Sequence, residues 1–227
     1  MNSIAPTPRA QAKRNAIHAA AQGLFLRNGF AGTSMDAIAL AANVSKQTLY
    51  RYYQNKEALF VAVLEQLALD HLAEPALLAV RDTPMESRVM LEQALILWAQ
   101  QSITHILQPA YVGLLRLLIA ELPRFPQLGA RFFQAVPQQG GAFLRALLES
   151  ARSHGVIAVD DLEAAIRLLA GSLLTYVFSH GLLAADGVQQ PPSAEQIAAI
   201  VQLALHGIAE PSADERRLRH ASPTQPT

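Results

Sequence analysis

The sequence predicts an all-α protein. Apolar residues recur at helical spacing along nearly the whole chain, with no sustained alternation of period two and no cluster of β-branched residues. Of the 227 residues, 51% are hydrophobic and 16% are charged, which is enough apolar material for a core and argues against disorder. Cysteine is absent, which excludes disulfide scaffolds, thiolate catalysis and thiolate metal sites.

The first two predicted helices follow a loose arm over residues 1–8. The first helix covers about 11–28 and stops at Gly29, because glycine readily adopts the left-handed backbone of a helix end. The second helix starts after Thr33 and Ser34, and either hydroxyl can accept a hydrogen bond from the free amides of its first turn.

A third helix over about 46–53 follows a tight turn. Asn43 lies at that turn, where its short polar side chain tolerates positive φ, and Ser45 caps the helix. Two short helices joined in this way form a helix-turn-helix arrangement. Its inward-facing core is predicted to consist of Ile38, Ala39, Val44, Leu49 and Tyr53.

Helix-start signals continue through the rest of the chain. Asn55 is predicted to cap a long fourth helix, with Pro75 setting a kink near its end. Residues 83–86 have the pattern of a capping box with proline at the first helical position, and Pro109 opens the next helix.

The C-terminal half has three further boundaries. Pro137 is expected to separate a short helix from a longer one that ends before Gly155. Residues 160–163 and 193–196 resemble capping boxes, each followed by an apolar helix.

The third helix presents its outer face to solvent at an exposed cap. Lys46, Gln47 and Tyr50 lie together on that face, and such a helix fits the major groove of DNA. Lysine can donate to guanine acceptors, glutamine can pair with adenine, and tyrosine can pack on a thymine methyl or reach a phosphate. A plain helical hairpin with a polar outer face is the alternative interpretation.

Charge is distributed unevenly along the chain, which carries 18 basic and 18 acidic residues. Residues 1–67 contain seven basic and three acidic residues, so the net charge of +4 there is balanced by −4 in the remainder. A basic N-terminal unit on a neutral chain suggests a local contact with a polyanion, although ordinary surface variation would produce the same balance.

Residues 29–39, 42–53 and 55–59 closely resemble the DNA-binding domain of TetR/AcrR-family regulators. Two positions depart from the family pattern, with Asn43 in place of the usual glycine and Tyr53 in place of the usual phenylalanine. The resemblance implies a homodimer, one recognition helix per subunit, a near-palindromic double-stranded DNA operator and a small-molecule effector bound in the C-terminal half.

The same resemblance implies roles for individual positions. The base-contacting positions are Lys46, Gln47 and Tyr50. The phosphate-contacting positions are Thr33, Ser34, Thr48, Arg51, Tyr52 and Lys56. For Tyr52, surface packing remains the alternative.

The chain is accordingly expected to comprise four regions. Residues 1–55 form the helix-turn-helix domain with its flexible arm, 56–82 the connecting helix region, 83–209 the effector-binding and dimerisation domain, and 210–227 a disordered tail. Residues 118–126 resemble the effector domains of one AcrR-like subgroup, whose members often control efflux or envelope functions.

The effector is expected to be apolar or aromatic, because the candidate pocket is rich in such side chains. The candidate lining residues are Trp98, His105, Tyr111, Arg116, Phe133 and Tyr176. Arg116 is the predicted polar anchor, with a dimer or interdomain salt bridge as the alternative.

The dimer interface is expected on two apolar helices in a four-helix bundle. Small residues spaced by four allow close approach on one of them, and an apolar stripe runs along the other. The predicted interface residues are Gly171, Thr175, Ser179, Ile197, Ile200, Val201, Ala204 and Ile208. Packing of the same helices within one subunit is the alternative.

Several other functions are disfavoured. No two of the seven histidines have metal-ligand spacing, and no catalytic or nucleotide-binding motif is present, so no metal, no cofactor and no enzymatic activity are expected. The apolar run 168–185 contains several polar residues and glycines, which favours a buried helix over a membrane span in a cytoplasmic protein. The sequence leaves open a transcriptional repressor, an activator of the same fold, or an all-α ligand carrier.

Overall fold

The computed structural model of the chain describes residues 8–184 and 190–207. Within these ranges it contains ten α-helices and no β-strand, which confirms the predicted fold class. The helices are α1 (Pro8–Asn28), α2 (Met35–Ala41), α3 (Lys46–Tyr52), α4 (Lys56–Leu69), α5 (Pro75–Asp82), α6 (Arg88–Ile106), α7 (Pro109–Glu121), α8 (Pro126–Ser153), α9 (Leu162–Tyr176) and α10 (Ala194–Gly207). A 3₁₀ turn (Asp70–Ala73) follows α4, and a π-helical segment (Val177–Leu182) follows α9. The predicted N-terminal arm, except for its last residue, and the predicted tail lie outside the described residues.

Side-chain caps begin the three helices that follow α1. Ser34 Oγ accepts from the amide of Ala37 at 3.1 Å, and Ser45 Oγ accepts from the amide of Thr48 at 3.1 Å. These caps satisfy amides that have no intrahelical partner, which matters most for α2 and α3 because each has only seven residues. The turn between α2 and α3 contains Asn43 at φ 52°, as predicted.

The described residues form two compact units, which cut across the predicted sequential division. The first unit contains the described residues up to Ala73, 102–140 and the described part of 176–191. The second contains 74–101, 141–175 and the described residues from Pro192 onward. The N-terminal helices therefore share a unit with α7 and the first half of α8, while the predicted domain boundaries stay a prediction.

A cluster of four phenylalanines organises the first unit. Phe25, Phe30 and Phe60 are completely buried. The ring centroid of Phe60 lies 5.0 Å from that of Phe25 and 5.2 Å from that of Phe30, with ring edges directed at ring faces. Phe125, half-buried between α7 and α8, lies 5.1 Å from Phe30 and joins the same core. One aromatic core thus holds α1, α4 and the α7–α8 connection together.

The second unit buries leucine-rich faces of α5, α6, α8, α9 and α10. Its fully or nearly fully buried residues include Leu77, Leu91, Leu95, Leu144, Leu148, Leu169 and Val201. At its surface, Arg145 of α8 forms an ion pair with Glu163 of α9 at 2.7 Å. Gln202 of α10 donates to Glu92 of α6 at 2.8 Å.

Pro137 does not break the chain into two helices, contrary to expectation. It lies inside the continuous helix α8. Proline lacks the amide that would donate to the carbonyl of residue 133, so the helix loses one bond there. Pro137 is exposed, while Val136 before it and Phe143 and Leu144 after it are buried, so burial on both sides compensates for the lost bond.

Two predicted helix starts are displaced by a few residues. The box at residues 83–86 does not cap a helix: Thr83 ends α5, and its hydroxyl donates to the carbonyl of Ala79. Ser87 Oγ instead accepts from the amide of Met90 at the start of α6. In the box at 160–163, Asp161 accepts from the amides of the first turn of α9.

Two other expectations concern the ends of helices. The box at 193–196 is confirmed, since Ser193 Oγ accepts from the amide of Gln196 and Gln196 Oε1 accepts from the amide of Ser193. Pro75 does not kink α4, which ends at Leu69; it occupies the first turn of the separate helix α5.

The aromatic core leads to a prediction on stability. Phe30→Ala should lower the free energy of unfolding by about 3–5 kcal/mol, because it removes a fully buried ring. Phe133→Ala is the matched control, since Phe133 is 59% exposed and its loss should change stability by less than about 1 kcal/mol. Urea denaturation followed by circular dichroism measures both. Equal effects of the two substitutions would contradict the proposed importance of the core.

Candidate nucleic-acid interface

Helix α3 separates a buried face from an exposed one. Leu49 is fully buried, whereas Lys46, Gln47 and Tyr50 are exposed. The three predicted base-contacting side chains therefore point away from the core together. Thr48 is half-buried, and its hydroxyl lies 2.9 Å from Ser45 Oγ.

The predicted helix-turn-helix core is largely inside the first unit. Ile38, Ala39, Leu49 and Tyr53 are all less than 9% exposed, and Val44 is half-buried. The amide of Val44 donates to the carbonyl of Ala39 at 3.0 Å, which closes the turn between the two helices. These contacts fix the angle at which α3 leaves α2.

Thr33 does not offer its hydroxyl to a phosphate, contrary to expectation. It is 2% exposed, and its Oγ1 donates to the carbonyls of Gly29 at 2.8 Å and Leu24 at 3.2 Å. The single hydroxyl proton of Thr33 is thus shared between two carbonyls near the C-terminal end of α1. Ser34, in contrast, is exposed at the N-cap of α2.

Lys56 is likewise committed to the protein backbone. Its Nζ donates to the carbonyl of Phe30 at 2.7 Å and to the carbonyl of Thr33 at 2.8 Å, and lies 4.5 Å from the centre of the Phe30 ring. The ammonium group ties the start of α4 to the loop that precedes α2. Nearby carbonyls thus accept from the ammonium group of Lys56 in this structure, and its predicted phosphate contact stays a prediction.

Arg51 and Tyr52 form a small surface pair. Arg51 is exposed, with its guanidinium carbon 5.5 Å from the centre of the half-buried Tyr52 ring. The Tyr52 ring in turn lies 6.4 Å from that of Tyr53. Tyr52 thus packs on its neighbours while part of it stays accessible.

Lys46 has a partner that the sequence analysis did not assign. Its Nζ lies 2.6 Å from Oδ2 of Asp36, in the first turn of α2. Both side chains remain exposed, at 66% and 58% respectively. The pair joins the outer faces of α2 and α3.

A buried histidine connects α1 to the end of α3 and to α4. His18 contacts the hydroxyl of Tyr53 through Nε2 and the side-chain carbonyl oxygen of Gln66 through Nδ1. Burial lowers the pKa of His18, so the neutral ring is favoured. The carbonyl oxygen of Gln66 can only accept, so Nδ1 carries the proton and Tyr53 donates to Nε2. The replacement of the usual phenylalanine at position 53 was the only sequence signal for this contact.

A cleft of about 300 Å³ adjoins His18. It is lined mainly by polar residues of α1, α4, the 3₁₀ turn after α4 and α8, namely Gln11, Arg14, Asn15, His18, Glu65, Gln66, Asp70 and Gln139. This polar lining differs from the apolar pocket that the sequence predicted for an effector.

Two segments of the chain match described families. Residues 17–63 match the family described as bacterial regulatory proteins, tetR family, and residues 93–208 match the C-terminal domain of AefR-like transcriptional repressors. The second match alone covers half of the chain. The chain belongs to the TetR family of transcriptional regulators.

Individual relatives agree with this assignment. A helix-turn-helix transcriptional repressor of Streptomyces coelicolor is 45% identical over 60 residues, which are 26% of this chain and 31% of that protein. The chain thus spans about a third of the length of this curated relative. A solved TetR-family regulator from Mesorhizobium loti is 27% identical, with a TM-score of 0.70 over 90% of this chain and 100% of that one. The flavonoid-responsive regulator FrrA is 32% identical, with a TM-score of 0.63 and the same coverage.

Family membership settles the class of activity. TetR-family members are DNA-binding regulators that act as dimers and respond to small molecules, so this chain is a DNA-binding transcriptional regulator. Membership in a family of regulators also agrees with the expectation that the chain is not an enzyme. The departure at position 43 is compatible with the TetR-family fold, since Asn43 adopts the left-handed backbone usually given to glycine.

The predicted effector-binding residues occur in both units of this TetR-family chain. Trp98 is 6% exposed and belongs to the second unit. The other five belong to the first unit, and among them Phe133 is 59% exposed, so it does not line an enclosed cavity of the chain. Tyr111 is 3% exposed, and burial raises its pKa. Tyr176 is half-buried, with its ring 5.3 Å from that of His180.

Arg116 is occupied by backbone carbonyls rather than left as a free anchor. Its guanidinium donates to the carbonyls of Gly181 at 2.6 Å, Ala184 at 3.0 Å and Leu182 at 3.1 Å. The side chain therefore caps the π-helical segment after α9. No carboxylate pairs with it among the described residues, and a salt bridge to a dimer partner stays a prediction.

His105 lies beside a second buried histidine. The rings of His71 and His105 are 4.9 Å apart, and His71 Nε2 lies 2.9 Å from Ser102 Oγ. Burial, reinforced by the neighbouring His105, lowers the pKa of His71 from 6.5 to about 4. His71 directly follows α4, so the sequence offered no periodic signal that it would be buried.

The residues predicted to form the dimer interface differ in their exposure to solvent. Thr175 of α9 and Ser179 of the π-helical segment that follows are exposed, and Gly171 of α9 has open space beside it. On α10, Ile197, Val201 and Ala204 are at most 6% exposed, so they pack within the chain as the alternative interpretation proposed. Ile200 is half-buried. Ile208 lies outside the described residues.

Exposed leucines mark the outer faces of the same two helices. Leu168 and Leu174 of α9 are 49% and 48% exposed, and Leu203 of α10 is 74% exposed. One described helical stretch, Leu162–Leu182, is apolar and long enough to span a membrane, and a third of it is buried within the chain. Length and composition alone do not distinguish such a helix from one that packs on another protein helix.

Protonation of His71 predicts a loss of stability at acid pH. The folded-state pKa is below the unfolded value, so this contribution is present above pH 6.5 and is lost as the pH falls toward 4. Between pH 8 and pH 5 the wild type should lose about 2 kcal/mol of unfolding free energy through this residue. Urea denaturation at both pH values should show a smaller loss in His71→Gln. His154→Gln, which replaces an exposed histidine, should lose as much as the wild type; equal losses in all three proteins would refute the assignment.

Proposed function

We propose that the protein is a homodimeric repressor that binds a near-palindromic operator through α3 of each subunit and is released by a small effector. The observation that carries this proposal is the division of α3 into a buried Leu49 and an exposed group of Lys46, Gln47 and Tyr50. A short helix fixed by its core and polar on its outer face can enter the major groove and present donors and acceptors to base edges.

The contacts to the DNA backbone are proposed for side chains that remain accessible. Ser34 and Arg51 are exposed, and Thr48 and Tyr52 are half-buried. Ser34 is displayed by a loop that Thr33 and Lys56 hold in place through backbone carbonyls. We therefore assign those two residues to the positioning of the interface rather than to direct phosphate contact.

Release by an effector requires that a change in the C-terminal region reaches α3. Helix α4 is suited to transmit it, because Asn55 caps its start and Lys56 binds the loop that leads into α2. A displacement of α4 would move that loop and change the spacing of the two recognition helices. Coupling energies of about 1–3 kcal/mol are typical for such systems. The match of residues 93–208 to a repressor family supports repression rather than activation.

The effector is proposed to be apolar or aromatic. FrrA is described as flavonoid-responsive, and its 32% identity over most of this chain supports an aromatic ligand here. Buried Tyr111 and Trp98 supply aromatic surface in the two units. Control of efflux or envelope genes remains part of the proposal, on the resemblance of residues 118–126. Action on DNA places the protein in the cytoplasm.

The dimer is proposed to form through α9 and α10, with a revised set of residues. Leu168, Leu174 and Leu203 expose large apolar side chains, which isolated soluble chains tend to bury against a partner. Gly171 lies on the same helix as two of them and leaves room for a partner helix. Ile197, Val201 and Ala204 support this face from inside the chain.

DNA binding is tested by fluorescence anisotropy. The probes are DNA from immediately upstream of the gene and a scrambled duplex, each at two salt concentrations. We expect selective binding that weakens as salt rises. Lys46→Ala, Gln47→Ala and Tyr50→Ala should each weaken operator binding by about tenfold, within the 1–3 kcal/mol of a good base contact.

The control for these variants is Gln54→Ala, an exposed glutamine outside α3, which should bind like the wild type. If the upstream DNA is not selected, an operator is sought from random DNA. Failure of that selection, or full binding by a variant that carries all three substitutions, would favour the ligand carrier.

The dimer is tested by sedimentation equilibrium. Leu203→Glu should shift the protein toward monomer, because it places a charge in the proposed apolar interface. Glu195→Gln, which changes a charge in the exposed first turn of the same helix, should remain dimeric. A wild type that is monomeric at micromolar concentration would exclude this interface.

A further inference from the structure

The ion pair between Asp36 and Lys46 stands out from the charges around it. Asp36 is the only acidic residue among the first 56 positions of the sequence, where seven basic residues occur. The fold places this carboxylate 2.6 Å from the ammonium group of Lys46. It is also the only ion pair between α2 and α3 in the part of the chain that the structure describes.

The ion pair between Asp36 and Lys46 contributes little to the stability of the fold. Both partners are more than half exposed, and exposed ion pairs contribute little to folding free energy. The two helices are already held by the buried Ile38 and Leu49 and by the backbone bond that closes their turn. The main consequence of Asp36 is therefore its effect on the surface next to Lys46.

A carboxylate at this position opposes non-selective binding. Binding to arbitrary DNA depends on contacts between cations and phosphates. Asp36 competes with phosphates for Lys46 and repels them directly. An approach of α3 to DNA is therefore more favourable where the base edges satisfy both members of the pair.

One base pair meets that requirement in the major groove. Guanine offers two acceptors, O6 and N7, and lysine is a common partner for them. The cytosine of the same pair offers its N4 amino group, which a carboxylate can accept. Because Asp36 and Lys46 already touch, both can reach the same base pair.

We propose that Asp36 is a specificity-determining residue, which holds Lys46 and reads with it one G·C pair in each operator half-site. This inference rests on the proposed function, because it requires that Lys46 contacts bases. It predicts that removing the carboxylate relaxes selectivity without abolishing binding to DNA.

The test uses the full-length chain and an operator selected from random DNA by the wild type. Anisotropy titrations across a salt series compare wild type, Asp36→Asn, Lys46→Gln and the double variant on operator and scrambled duplexes. Asp160→Asn is the matched control, because it makes the same charge change at an exposed residue of the second unit. Circular dichroism verifies folding, and Asp36→Ser serves as a second variant if Asp36→Asn loses helix content.

We expect Asp36→Asn to lower the ratio of operator affinity to scrambled-DNA affinity by roughly tenfold. The plot of log affinity against log salt on scrambled DNA should steepen by about 0.9, as one more cation becomes available to phosphates. In the Lys46→Gln background the same substitution should no longer steepen the salt dependence. Selection with Asp36→Asn should lose the G·C preference at one position per half-site.

The outcomes separate this inference from the proposed function. A wild type that never distinguishes operator from scrambled DNA overturns the proposed function, and this inference with it. A selective wild type whose affinity ratio, salt dependence and base preference survive Asp36→Asn overturns the role of Asp36 alone. If Asp36 had a purely structural role, the G·C preference would survive Asp36→Asn. The selection would reveal that outcome as well.

Discussion

Burial of one aromatic core is the constraint on which the rest of this structure depends. Helices α2 and α3 have seven residues each, which is too short for either to be stable alone in water. They keep their positions because α2 packs against α1 and α3 packs against α2, and buried residues of both belong to the core that contains Phe25, Phe30 and Phe60. Phe125 brings the α7–α8 connection to the same cluster. The helix proposed to contact DNA and the α7–α8 connection of the C-terminal region therefore share a core.

Backbone carbonyls compete with external ligands for polar side chains throughout the chain. Thr33, Lys56 and Arg116 each have the chemistry to hold a phosphate or an effector. Each instead donates to backbone carbonyls at a helix end or loop. The consequence for function is indirect but specific. These side chains fix the loop before α2 and the end of α9, the segments on which DNA binding and dimerisation are proposed to depend.

On the surface proposed to bind DNA, basic residues would favour affinity and the one carboxylate would favour selectivity. Most of the early charges are basic, and their long-range field attracts any DNA. The single carboxylate among the first 56 residues is placed against Lys46, the lysine proposed to read bases. A uniformly basic surface would bind more tightly and less selectively, because phosphates are present at every site.

The sequence by itself determined the fold class, most helix boundaries and the group of exposed side chains on α3. Helical periodicity, caps such as Ser34, Ser45 and Ser193, and the turn residue Asn43 are local properties that act within a few residues. Proline and aspartate signals were less decisive, since Pro137 lies inside α8 and Asp161 rather than Asp160 caps α9.

Only the tertiary structure decided which side chains, polar or apolar, already have a partner within the chain. Periodicity shows that Ile197, Val201 and Ala204 share a face, but not whether that face meets its own chain or a partner. Neighbours distant in sequence made that choice, and the same holds for Lys56 with Phe30 and for His18 with Gln66. A side chain's function depends on which partners remain unmet after folding, and that is a property of packing rather than of residue order.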